Sequence, residues 1–199
     1  MIELPEALTL ARQFNENIVG KTVLRVLPPT KPHKFCWFAG DPADYDGKIA
    51  GCKITSAYGF GIYCGLCFDN GMRLSLNDGV NPRLYCDGNE PKNYQLLIML
   101  SGGVSLAFTV AMYGGIVLHD DDYDNEYYVK SRGYVSPFSP EFEAFYYDRL
   151  AGIKPSLSAK AFIATEQRFP GIGNGTAQDI LFAAKINPRR KMSNRSEER

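Results

Sequence analysis

A chain of 199 residues, 45% apolar and 22% charged, can bury a real core and suits one large or two small domains. It contains no apolar run of about 18 residues and no charged-then-apolar start, so a membrane span and a signal peptide are both disfavoured, and a cytoplasmic protein (nucleoid-associated if bacterial) that avoids membranes is expected. Five irregularly spaced cysteines argue against a disulfide framework, and the formal net charge of zero argues against a uniformly basic surface.

The chain opens with Met1-Ile2-Glu3-Leu4-Pro5-Glu6. Proline suits a first helical turn, where its missing N–H would have been unpaired anyway. Leu8, Ala11, Phe14 and Ile18 then recur at helical spacing, and Gly20 ends this predicted N-terminal helix. Residues 21–27 alternate as a strand, broken by Pro28-Pro29-Thr30-Lys31-Pro32. The stretch His33-Lys34-Phe35-Cys36-Trp37-Phe38 is aromatic and partly basic, so base stacking is conceivable. A core cluster is the simpler expectation.

Residues 54–68 read as strand and end at Asp69-Asn70-Gly71, a hairpin signal. Further strands are expected at 72–76, 94–100, 104–110 and 116–119. Residues 21–119 together predict a twisted antiparallel sandwich or barrel. Cys64 and Cys67 have the spacing of a metal knuckle, but positions three apart in a strand face opposite ways and no second pair follows, so no metal is expected there. His119 followed by Asp120, Asp121, Asp122 and Asp124 reads as a solvated acidic loop. Ser139-Pro140-Glu141 starts a helix running to Leu150.

Residues 154–191 carry two helical patterns around Pro170-Gly171-Ile172-Gly173-Asn174-Gly175. Leu157, Ala161, Ala164 and Phe169 share a face of the first; Ala177, Ile180, Leu181 and Ala184 share a face of the second. The glycines permit positive φ and close backbone approach. Paired helices with such a turn are commonly only structural. Asn174 at a helix start, Lys160 on the preceding helix and Arg189-Arg190-Lys191 just past the second helix shift the balance toward an anion without displacing that reading: one phosphate fits the turn, and a series of phosphates fits turn and basic tail together. Charge is distributed to match: residues 154–199 hold nine Lys or Arg against four Asp or Glu, while residues 1–153 hold thirteen against eighteen. Residues 193–199 look like the start of another helix.

Both ends resemble one family. Pro170-Gly171-Ile172-Gly173-Asn174 with Asp179-Ile180-Leu181-Phe182-Ala183-Ala184-Lys185-Ile186-Asn187-Pro188-Arg189-Arg190 is similar to the helix-two-turns-helix signature of the formamidopyrimidine-DNA glycosylase and endonuclease VIII family. Met1-Ile2-Glu3-Leu4-Pro5-Glu6 resembles its N-terminal signature. The resemblance implies an α+β protein: an N-terminal antiparallel β-sandwich with a flanking long helix over residues 1–135, then a helical helix-two-turns-helix DNA-binding domain over 136–199. It implies a monomer whose partner is double-stranded DNA carrying an oxidised base or an abasic site, flipped out for glycosylase and abasic-site lyase chemistry.

That chemistry uses an N-terminal proline amine, and here the position is Ile2, with two substitutes: the Ile2 amine exposed by removal of Met1, disfavoured ahead of a large β-branched residue, or the Met1 amine itself. By the same resemblance Glu3 and Glu6 match the family's acidic positions, and Glu3 would act as the acid opening the sugar ring, a role suited to a raised pKa. Stabilising the helix start is the alternative for both. Gly171, Gly173, Asn174, Lys160, Arg189, Arg190 and Lys191 are the implied DNA contacts. The family's strand lysine falls on Ile62, and its duplex-inserting loop on residues 110–114, where Met112 or Tyr113 would wedge without an arginine. No cofactor is expected in this chain; the family often has zinc in a C-terminal finger that is missing here. The alternatives to an enzyme are a catalytically silent binder of damaged DNA, and a protein-interaction module without DNA binding.

Overall fold

A computed structural model describes residues 1–86 and 88–194. The helix start expected over 193–199 lies mostly outside these; Met192–Asn194 form a short 3-10 turn.

The N-terminal two thirds is a sandwich of two sheets, one in the order β1-β7-β8-β6 and one in the order β2-β9-β5-β4-β3. The strands are β1 (Val23–Leu27), β2 (Cys36–Trp37), β3 (Ile54–Phe60), β4 (Tyr63–Phe68), β5 (Arg73–Asn77), β6 (Val80–Cys86), β7 (Leu96–Leu100), β8 (Val104–Val110) and β9 (Gly114–His119). Pairing is antiparallel except between β2 and β9. Leu66, Leu74, Leu76, Ile98, Leu106, Phe108 and Ile116 are fully buried in the core. Strands β4 and β9 are buried along nearly their whole length, as the inner strands of a covered sheet are.

The predicted strand over 54–68 is a hairpin, β3 and β4, reversed at Gly61 with φ +52. The strand β6 and the short helix α2 (Tyr45–Ile49) were not anticipated. The expectation of a buried cluster at 33–38 holds only for alternate residues. Cys36 and Phe38 pack against the core, while Phe35 and Trp37 are half exposed.

Helix α1 (Leu4–Asn17) lies against β3 and β4, burying Leu4, Ala7, Ala11 and Phe14. Leu8, expected on that stripe, is turned outward instead. The approach is close because Gly59 of β3 has no side chain: a Cβ there would collide with the Ala7 carbonyl.

A second core gathers the C-terminal third. Helix α3 (Glu126–Arg132), also unanticipated, leads to α4 (Phe142–Leu150), α5 (Ala159–Ala164) and α6 (Asn174–Ala183). Phe162, Ile163, Phe169, Ala177 and Leu181 are its buried centre, ringed by Tyr134, Phe142, Phe145 and Tyr146. Helix α5 stops earlier than its pattern suggests. Glu166 and Gln167 take positive φ, and the Arg168 guanidinium donates to the carbonyls of Ala161, Phe162 and Thr165, capping the helix end. On α6 the inward face is Ala177 and Leu181, with Ile180 and Ala184 exposed.

Candidate functional site: an N-terminal cleft and a basic helical face

The first three residues sit where the two units meet. Glu3 is the N-cap of α1, Pro5 lies in its first turn, and the Glu6 carboxylate accepts from the Glu3 amide at 2.8 Å. Glu6 is therefore committed to the helix start. Ile2 is 5% exposed, and its amide donates to the carbonyl of Asp78. A peptide nitrogen shares its lone pair with its carbonyl. With Met1 attached, the position that the resemblance assigns to the nucleophile thus holds an engaged amide rather than an amine that could attack a sugar. Met1 is exposed at the mouth of a cleft of about 550 Å³, lined also by Ile2, Glu6, Asp78, Asn81 and Ala111.

Asp78 was not singled out from the sequence, because Asn77-Asp78-Gly79 reads as an ordinary turn. It forms the β5–β6 turn at φ +52. Burial raises its carboxyl pKa above the usual range, and the α-ammonium of Met1 offsets this in part. Ile62, at the position implied for a lysine, lines a smaller hollow beside Asp78 and Tyr63.

Glu3 is 8% exposed. Its Oε1 accepts from the Gly175 amide at 3.0 Å and its Oε2 from the Thr176 amide at 2.7 Å. These are free donors at the start of α6, where the helix dipole also favours an anion. Burial pushes the carboxyl pKa up, but hydrogen bonds from the Thr176 side chain and from the amides of Thr176, Gly175 and Gly173 outweigh it, leaving the pKa below the ordinary value. Glu3 is ionised and clasped. The raised pKa expected of a ring-opening acid is not what this environment produces.

Two expectations for the glycine turn change with it. The anion held at the head of α6 is the chain's own carboxylate, so the amides of Gly175 and Thr176 are not open to a phosphate. Gly171 and Gly173 are buried in the joint rather than presented outward. Gly171 has φ +93, its carbonyl accepts from the Leu4 amide at 2.8 Å, and a Cβ would meet the Gly61 carbonyl; a Cβ on Gly173 would collide with the Glu3 carboxylate. Of Gly171, Gly173 and Asn174, Asn174 alone stands exposed.

Lys160 does not join Asn174. Its amide donates to the Pro188 carbonyl at 3.1 Å and that of Ala159 to the Arg190 carbonyl at 2.8 Å, which ties the start of α5 to the segment after α6. Helix α6 is ten residues long, about 15 Å, so Asn174 and this segment lie at its opposite ends. Lys160 instead borders a groove with Gln178, Phe182, Lys185 and Asn187, and Arg189, Arg190 and Lys191 are exposed beside it. The cations expected from the sequence do cluster, at the far end of the helix.

One polar network had no sequence signal. His119 is 6% exposed; its Nδ1 lies 2.6 Å from the Asp120 carbonyl and its Nε2 2.6 Å from Ser75 Oγ. A carbonyl only accepts, so Nδ1 carries the proton and Nε2 accepts from Ser75, which in turn receives the Tyr58 hydroxyl at 2.5 Å. Burial first, and then the Arg73 charge, lower the His119 pKa and keep it neutral despite the opposing effect of the acidic neighbours. Tyr123 and Tyr128 cover it, so this is a structural network. In the acidic loop beyond, Asp121 pairs with Arg73 at 2.7 Å. Cys64 is buried in β4 and Cys67 is half-buried, both as free thiols.

No family model matches the chain. A formamidopyrimidine-DNA glycosylase of Stutzerimonas stutzeri (strain A1501) is 30% identical over 195 residues, covering 96% of this chain and 69% of that protein. One from Legionella pneumophila subsp. pneumophila is 27% identical over 191 residues, covering 94% and 68%. Among solved structures, the Lactococcus lactis Fpg in complex with DNA containing an abasic site superposes with a TM-score of 0.78 at 20% identity, over 98% of this chain and 71% of that one. MutM in complex with DNA containing carbocyclic 8-oxo-G gives the same TM-score and identity, over 98% and 73%.

Proposed function

This chain belongs to the formamidopyrimidine-DNA glycosylase family, and on that premise we propose that it is a base-excision-repair protein binding duplex DNA at an oxidised base or an abasic site. The observation that carries the reading is the joint. The regions of the family's two signatures are fastened together by Glu3, which reaches Gly175, 172 residues on, and whose chain neighbour Ile2 lines the cleft with Met1 and Asp78. DNA would lie across the two proposed units, 1–135 and 136–199, with Asn174, Lys160, Arg189, Arg190 and Lys191 on phosphates. No helix among the described residues is long and apolar enough to cross a membrane; we propose a cytoplasmic, DNA-associated monomer.

For the chemistry, the Met1 amine is the proposed stand-in for the proline. A Schiff base needs a neutral amine, and Asp78, which lines the same cleft and feels the charge of the Met1 ammonium, would accept its proton. A second reading, a binder of damaged DNA without lyase activity, is favoured by the engaged Ile2 amide and the lowered pKa of Glu3. Borohydride trapping separates the two. The protein, with its N-terminus verified by mass spectrometry, is incubated with duplex DNA carrying one abasic site. An adduct mapped to Met1 is expected for the enzyme, reduced at least tenfold in Asp78→Asn; salt-dependent binding without an adduct establishes the silent binder.

A further inference from the structure

Side chains of the second sheet and of α3 form a proton path that the cleft chemistry does not use. Tyr58 of β3 pairs with Gly65 of β4, and Gly65 pairs with Ser75 of β5. With no side chain at Gly65, the Tyr58 ring lies across β4; a Cβ there would strike its hydroxyl. That hydroxyl is 2.5 Å from Ser75 Oγ, which is 2.6 Å from Nε2 of His119 at the end of β9. The Tyr128 hydroxyl bonds to Tyr58 and to Arg73. A guanidinium can only donate, so every proton in the chain has one direction: Arg73 to Tyr128, Tyr128 to Tyr58, Tyr58 to Ser75, Ser75 to His119.

A phenol that loses an electron becomes a strong acid, so its oxidation is easy only where a base takes the proton in the same event. Tyr58 has such a base within one relay. Burial raises its own pKa, which keeps the proton in place until the electron leaves, and neutral His119 presents an unprotonated Nε2. Tyr123 and Tyr128 keep substrates away from His119, but an electron passes between rings in contact without its acceptor entering. The rings lead outward. Tyr128 stands 5.2 Å from Tyr63, and Tyr63 lines the hollow beside Asp78.

We propose that Tyr58 is a one-electron redox site, which reduces a purine radical cation in the duplex held at the cleft and keeps the electron deficit as a neutral tyrosyl radical. The electron passes by way of Tyr128 and Tyr63 to the purine. The Tyr58 O–H bond breaks, its proton joins Ser75 Oγ, and the Ser75 proton joins His119 Nε2. The positive charge lost by the purine is the one that His119 gains. The imidazolium keeps its Nδ1–H on the Asp120 carbonyl, and the carboxylates of Asp120 and Asp121 favour it against the charge of Arg73. As to the purine, the proposal rests on the reading that the cleft takes duplex DNA.

The full chain is first oxidised without DNA by flash-generated tris(bipyridine)ruthenium(III), and radicals are followed by electron paramagnetic resonance. Exposed rings such as Tyr113 and Tyr147 are oxidised too, but are consumed on encounter. A long-lived tyrosyl signal, narrowed by ring-deuterated tyrosine, is expected from Tyr58. Tyr58→Phe, which keeps the ring stacked on Phe60, lowers that component by about tenfold, and Ser75→Ala, with every ring in place, shortens its lifetime by about tenfold. Folding of each variant is checked by circular dichroism, so that either one decides if the other does not fold. A long-lived signal unchanged in a folded variant overturns the redox site, as does its absence from wild type. The chain is then bound at low salt to a duplex carrying an intercalated photo-oxidant, and strand breakage at guanines is measured. Wild type is expected to suppress breakage several-fold relative to Tyr58→Phe. Equal breakage with both proteins bound overturns the purine as the source of the electron deficit. Failure to bind the duplex overturns the DNA reading and the purine with it, while the ruthenium experiment still decides on Tyr58.

Discussion

Glu3 places one carboxylate against two partly buried backbone amides, so its removal leaves both donors without their partner rather than merely deleting a contact. Glu3→Ala is expected to cost about 1–3 kcal/mol, read by urea unfolding. The pH dependence has a definite sign. The folded-state pKa lies below the unfolded one, so the stabilisation is complete above the ordinary carboxylate range and is lost as pH falls through the folded value. Wild type should therefore lose stability on acidification more steeply than Glu3→Ala. Glu3→Gln, which keeps one acceptor oxygen without the charge, should lie between them at neutral pH.

At the scale of elements, the joint depends on backbones approaching within side-chain range. Gly171→Ala combines a disfavoured positive φ with a collision against Gly61, whereas Gly152→Ala, at φ +71 with open space around it, carries only the backbone strain. Gly171→Ala should lower the melting temperature clearly more than Gly152→Ala, the difference measuring the close approach. The elements that were legible in the sequence are β1, β7 and β8, short apolar runs bounded by Gly, Pro or polar residues, and α1 and the existence of α6, whose buried residues recur at helical spacing. Those that were missed have identifiable reasons. β6 contains Pro82, tolerated because β6 is an edge strand; β2 is two residues long and its exposed rings resemble core residues; α5 is cut short by an arginine cap. The importance of Glu3 was legible, but its partners are distant in the chain, and the buried environment of Asp78 is created only when α1 and the β5–β6 turn converge.

For the whole molecule, a neutral total hides two opposite halves, and the cations around Lys160 carry the proposed grip on phosphate. Lys160→Ala and Arg189→Ala should each weaken DNA binding irrespective of sequence and reduce the slope of log affinity against log salt by about 0.9, measured by anisotropy. Lys53→Ala, on the sandwich, should leave the slope unchanged. The clasp at Glu3 also orders events in time. Its partners are 172 and 173 residues downstream, so a chain emerging from the ribosome can fold its sandwich long before Gly175 and Thr176 exist to receive the carboxylate. The mouth of the cleft, built from the first residues to be synthesised, is among the last parts of the protein to be completed, and an unfinished chain carries the cleft residues without the joint that sets them.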